Sequence, residues 1–181
     1  MSGTESLFDR VEVGTVEAAA AGLAGPGARL VAALAEGVLG EGSHRLVVGS
    51  QLLRPAVSAA LPSGWIDETA GRALGVAFGM AAALGGAERV WCLLDIESCD
   101  EGGTWEAARA AATAPATTLT ACVMVPAHEN LALRSFWDAA GWSVRDIDGG
   151  NVWEILGGLD QALALRTRPI TLLVMSEPRV P

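Results

Sequence analysis

Three apolar runs constrain this chain more than any other feature: Val90–Ile96 (VWCLLDI), Leu119–Val125 (LTACVMV) and Ile170–Met175 (ITLLVM). None alternates apolar with polar side chains, as a strand with one wet face does. Runs that are apolar throughout suit strands buried on both faces, which occur in parallel sheets covered by crossover helices. Between them lie segments of helical character, so strands and helices alternate along the chain. The expected fold class is therefore α/β, a parallel sheet flanked by helices.

The rest of the chain fits that frame. Residues Met1–Gly14 are polar and read as frayed or extended. Thr15–Leu23 and Ala28–Leu39 are alanine-rich and helical by propensity, parted by the breaker Gly25-Pro26-Gly27. Together, residues 1–44 read as a helical arm, with 45–181 as the main domain. Arg45–Gly49 reads as a short buried strand and Leu53–Leu61 as a helix stopped by Pro62-Ser63-Gly64. Gly71–Leu84, rich in Gly and Ala, suits a helix packed closely beneath a sheet or against a partner helix, ended by Gly85-Gly86. A polar loop is expected over Glu97–Gly103, with Thr104 capping a helix from Trp105 to Ala112. Leu131–Ala140 and Val152–Leu165 read as helices, and Trp142–Ile147 as a short strand.

Composition narrows the function classes. The 181 residues suit one domain and carry a formal net charge of −9, which disfavours a nucleic-acid or acidic-membrane surface. Only 18% of residues are charged, so some surface is expected to be covered by another subunit. There is no lysine, hence no Schiff-base chemistry from this chain. Cys92, Cys99 and Cys122 have neither disulfide-framework nor zinc-finger spacing. No signal-peptide pattern opens the sequence and no apolar run is long enough to span a bilayer, so a cytoplasmic location is expected.

In a parallel sheet, ligands sit beyond the carboxyl ends of the strands. Read in that order, the strand ends and the segments between them carry a family resemblance. Gly64-Trp65-Ile66-Asp67-Glu68-Thr69-Ala70-Gly71, with the helix through Gly79-Met80-Ala81, looks like the glycine-rich stretch of transketolases and related E1 dehydrogenases. Val90–Ala107 (VWCLLDIESCDEGGTWEA) is similar to their strand ending in Gly-Asp-Gly-Glu, followed by Glu-Gly and Trp-Glu-Ala. The stretch AAGWSVRDIDGGN within Phe136–Leu163 resembles their Gly-Trp, Val and Asp-Gly-His-Asp sequence, and Arg168-Pro169-Ile170-Thr171-Leu172 their closing Lys-Pro-Thr strand. The resemblance spans about Arg45 to Glu177. It implies a thiamine-diphosphate-binding fold, specifically the domain that holds the diphosphate and its magnesium.

The resemblance implies Asp95, Glu97, Glu101, Gly102 and Gly71 as cofactor-binding residues, with Asp95 also the metal ligand. A hard cation needs several oxygen donors. The sequence departs from the family pattern at these points. Asp95 aligns with the family aspartate only when one residue is inserted before Glu101; without that gap Ile96 takes the position. The second ligand position falls at Val125-Pro126, which has no side-chain oxygen, with His128, Glu129 and Asn130 a few residues on. The family's Ser-Lys-Gly-His appears as Ser50-Gln51-Leu52-Leu53, without its histidine.

Bland roles stand beside these: Asp95 fits a turn cap as well as a functional carboxylate, and Asp100 and Glu101 fit a solvated loop. Cys99 fits an inert thiol, His128 an exposed loop residue, and the tryptophans packing or interface anchors. In the family the pyrimidine half of the cofactor, and the glutamate that activates it, belong to a second domain. The resemblance thus implies a separate pyrimidine-binding partner chain, a hetero-oligomer and a small-molecule substrate. The function expected is a subunit of a split transketolase-like enzyme for two-carbon ketol or acyl transfer, in specialised biosynthesis. A cofactor-free scaffold for a catalytic partner is the alternative. A binding module with a repurposed pocket, using Glu97, Asp100 or His128, is a third.

Overall fold

The computed structural model describes residues 6–25, 27–41, 44–114, 116–126 and 130–176. Its centre is a six-stranded sheet, every neighbouring pair parallel, in the order β2-β1-β3-β4-β6-β5. The strands are β1 (His44–Val48), β2 (Trp65–Asp67), β3 (Arg89–Asp95), β4 (Leu119–Val125), β5 (Ser143–Asp148) and β6 (Ile170–Met175). The helices are α1 (Leu7–Arg10), α2 (Val13–Ala21), α3 (Ala28–Gly37), α4 (Arg54–Ala60), α5 (Ala70–Leu84), α6 (Ile96–Cys99), α7 (Gly102–Thr113), α8 (Asn130–Ala139) and α9 (Val152–Ala164). A 3₁₀ turn at Leu39–Glu41 leads into β1.

Every residue of β3, β4 and β6 is buried, as their unbroken apolar runs demand. Because successive side chains in a strand point to opposite faces, each strand feeds two cores. Trp91, Leu93, Cys122, Met124, Ile170, Leu172 and Val174 join a core with side chains of α1–α4 and α9. Val90, Cys92, Leu94, Ala121, Val123, Leu173 and Met175 join the other, with side chains of α5–α8. The first three helices are built into the former: Leu7 and Val16 are fully buried, and the Leu7 N–H donates to Asp160 of α9 at 2.9 Å. Beside that contact Phe8 stacks on Trp153, ring centroids 5.7 Å apart.

At the amino end of the sheet, buried Arg89 donates to the Thr120 hydroxyl at 2.8 Å and to the carbonyl of Leu165, the C-cap of α9. Burial, and secondarily the nearby Arg166, lower its pKa to about 9, still cationic at neutral pH and favourably placed at a helix C-terminus.

Three elements differ from the sequence expectations. The stretch read as a frayed start contains α1, pinned by Ser6, whose hydroxyl accepts from the Phe8 N–H. β2 sits within the Gly64–Gly71 stretch as an edge strand, too short and too exposed to carry an apolar pattern. The polar loop after β3 is instead the one-turn α6, and α7 begins at Gly102 rather than after Thr104. Thr104 is buried in that first turn and donates its hydroxyl to the Ser98 carbonyl at 2.6 Å, so its side chain ties two elements together.

The end of β1 meets the start of α5 with no room to spare. A Cβ on Gly49 would lie 2.6 Å from the Ala73 Cβ and 3.2 Å from Leu94. Overpacking of this kind costs about 1–3 kcal/mol. Gly49→Ala should lower unfolding free energy by that amount in urea titration, and adding Ala73→Gly should recover most of it.

Candidate functional site

The strand order fixes where a ligand belongs. From β1 the chain moves to β2 on one side, then returns to β3 on the other, so the carboxyl ends of β1 and β3 form a topological switch point, where sheets of this kind bind ligands. Two turns line it. Gly49 and Ser50 follow β1, both N–H groups directed to the Leu93 carbonyl. Asp95 closes β3 and opens α6.

Asp95 is 2% exposed and its carboxylate is already engaged. Oδ1 accepts from the Ser98 N–H at 2.9 Å and from the Ser98 hydroxyl at 2.7 Å, while the Asp95 N–H donates back to the Ser98 hydroxyl oxygen at 3.4 Å. This is a capping box on α6. Glu97, one position into α6, is exposed. Glu101 and Gly71 do come together, with no comparable role for Asp95 or Glu97. A Cβ at Gly71 would lie 3.1 Å from the Glu101 Cβ and 3.3 Å from its Oε2, and one at Gly103 only 2.4 Å from the Gly71 carbonyl oxygen. The glycines therefore serve the close approach of α5 and α7. Gly102 is exposed at the start of α7. Asp100 is also exposed, whereas His128 lies outside the described residues.

The other polar groups at the strand ends follow the same habit. The Ser50 hydroxyl, fully buried, accepts from the Leu53 N–H at 3.2 Å. Asp148 accepts from the Gly150 N–H at 2.8 Å and Asn151 from the Trp153 N–H at 3.0 Å, while Glu154 takes the Asp148 N–H at 2.9 Å. Each of these side chains satisfies the backbone of its own turn. Sequence reading singled out Asp95 but missed Ser98; the signal available was the Asp-x-x-Ser spacing ahead of a glycine-rich stretch.

A second opening lies further along the carboxyl edge, at the ends of β4, β6 and β5. It is a cleft of about 140 Å³ floored by Gly25, Gly27, Gly149 and Gly150 and walled by Met124 and Met175. Arg29 at its rim is held by Glu17 at 3.0 Å. Among its described lining residues Arg29 is the one charged side chain.

A magnesium-bound diphosphate does not fit the described residues. Asp95 is committed to α6, β4 ends in Val125 and Pro126 without a side-chain oxygen, and among the described residues no three His, Cys, Asp or Glu side chains gather as a metal site. The cysteines add no nucleophile. Burial, then the charges of Asp95 and Asp100, push the Cys99 thiol up to about 12; burial pushes Cys122 up to about 12 and Cys92 well above its usual range.

This layout is similar to that of solved transketolases. Transketolase from Leishmania mexicana superposes with a TM-score of 0.71 at 14% identity, covering 96% of this chain and 37% of that one. Transketolase from Campylobacter jejuni gives 0.68 at 18% identity, covering 91% and 36%. A protein from Mycobacterium smegmatis described as a thiamin diphosphate-dependent enzyme gives 0.60 at 17% identity, covering 75% and 29%. These likenesses establish the fold, and the chain spans about a third of the length of those proteins. No family model matches the sequence, and no curated protein matches it. Among the described residues no helix is long and apolar enough to cross a membrane.

The thiols provide a direct check on the packing at this edge. With all three cysteines free and buried, the folded protein at pH 8 should react negligibly with a disulfide reagent such as DTNB, and three thiols should titrate in denaturant. A thiol reacting fast in the native state would show that α6 opens.

Proposed function

We propose that this chain is one subunit of a two-chain transketolase-like enzyme, the other chain supplying the pyrimidine-binding half of a thiamine diphosphate site. The assembly would move a two-carbon ketol or acyl unit between small-molecule substrates, in a specialised biosynthetic route. The observation that carries this reading is the fold: nearly the whole chain superposes on transketolase with a TM-score of 0.71. The lean charge of the sequence supports a covered surface.

A specific observation favours a second reading, in which the chain is a cofactor-free scaffold that stabilises a catalytic partner. The polar side chains Ser50, Asp95 and Asn151 are all spent on backbone caps. No reaction step is assigned to a residue of this chain under either reading.

Co-expression with a neighbouring open reading frame that encodes a pyrimidine-domain chain tests both. The expected result is a stoichiometric complex by size-exclusion chromatography with light scattering. With thiamine diphosphate, magnesium and a ketose phosphate donor, that complex should show two-carbon transfer that neither chain shows alone. A complex without activity would leave the scaffold reading standing, and absence of a complex would overturn both.

A further inference from the structure

We infer that Asp95 is a structural N-cap sealing the turn after β3, and that this chain contributes no ligand to a magnesium-bound diphosphate. A family aspartate and a turn cap predict different surroundings for the same carboxylate. A magnesium ligand must leave an oxygen free toward an octahedral shell of further oxygens about 2.0–2.1 Å from the ion. Here Oδ1 takes two hydrogen bonds from Ser98, whose own carbonyl is held by the Thr104 hydroxyl, so Oδ2 is the one carboxylate oxygen left to a cation. Ser98 and Thr104 are both fully buried, so the turn is fastened to α7 as well as to β3.

Among the described residues, nothing beside Asp95 completes a shell. The residue paired with it across the sheet is Met124, a thioether, followed by Val125 and Pro126. On the other side the Ser50 hydroxyl is engaged by the Leu53 N–H. A cation arriving at Asp95 would gain that one oxygen, and among the described residues no three His, Cys, Asp or Glu side chains gather to complete its shell. Asp95 has this role whether or not a partner chain docks. Metal held by a catalytic assembly would therefore come from elsewhere, and failure here would leave the two-chain reading untouched.

The full-length chain carries the test, with Asp95→Asn and Asp95→Ala. Asparagine keeps the capping acceptor but removes the charge a metal requires, whereas alanine removes both. The melting temperature of Asp95→Asn should stay within about 1 °C of the parent, and that of Asp95→Ala should fall by about 2–4 °C. With inorganic pyrophosphate present, the chain should leave the electron paramagnetic resonance signal of the manganese–pyrophosphate mixture unchanged, manganese standing in for magnesium. A signal change that the parent chain produces and Asp95→Asn loses would overturn the inference, as would any pyrophosphate-dependent metal retention by the parent. So would an asparagine variant as destabilised as the alanine one. Should Asp95→Ala not fold, the asparagine variant and the manganese measurement still decide.

Discussion

The two-sided burial of β3, β4 and β6 is the constraint from which the rest follows. A strand dry on both faces must be roofed twice, and the chain meets this by sending α5–α8 to one side and α1–α4 with α9 to the other. The hydrophobic term is large and without direction, so it fixes layers but not the details of the edge. Those details are set by short-range geometry: glycines where backbones touch, such as Gly49 against Ala73 and Gly103 against Gly71, and polar side chains where turns need acceptors.

That division explains why some regions were legible in the sequence and others were not. β4 and β6 begin and end where their apolar runs do, and α5 and α9 lie close to their expected bounds, because side-chain burial and the repeat of the element carry the same message. β2 is three residues long at an edge and α6 is a single turn; neither is long enough to show a period. α1 is a single turn stabilised by docking on α9, a tertiary contact that no local propensity encodes. At the site, the alignment of Asp95 with a family aspartate could be seen in the sequence. The orientation of its carboxylate could not, since that depends on where Ser98 and Thr104 lie in space.

The same contrast separates fold from chemistry. The fold is a property of the layers, and its likeness to the transketolases persists at 14–18% identity. Ligand chemistry rests on individual atoms at strand ends, each of which is altered by one substitution or one inserted residue. Here the acceptors at those ends serve the main chain: Ser50, Asp95, Asp148 and Asn151 each bond an N–H two or three residues ahead. The scaffold persists while the polar side chains at these strand ends cap their own turns.

The stacked pair of Phe8 and Trp153 has a practical side. Trp153 is 60% exposed, whereas Trp91, Trp137 and Trp142 are fully or almost fully buried. An indole at the surface emits further to the red than a buried one, and a ring lying on it shields one of its faces from water. Release of the first helix from α9 would therefore register as a change in Trp153 emission, with the buried indoles nearly unaffected. The chain thus carries an optical marker for the docking of its own N-terminal segment.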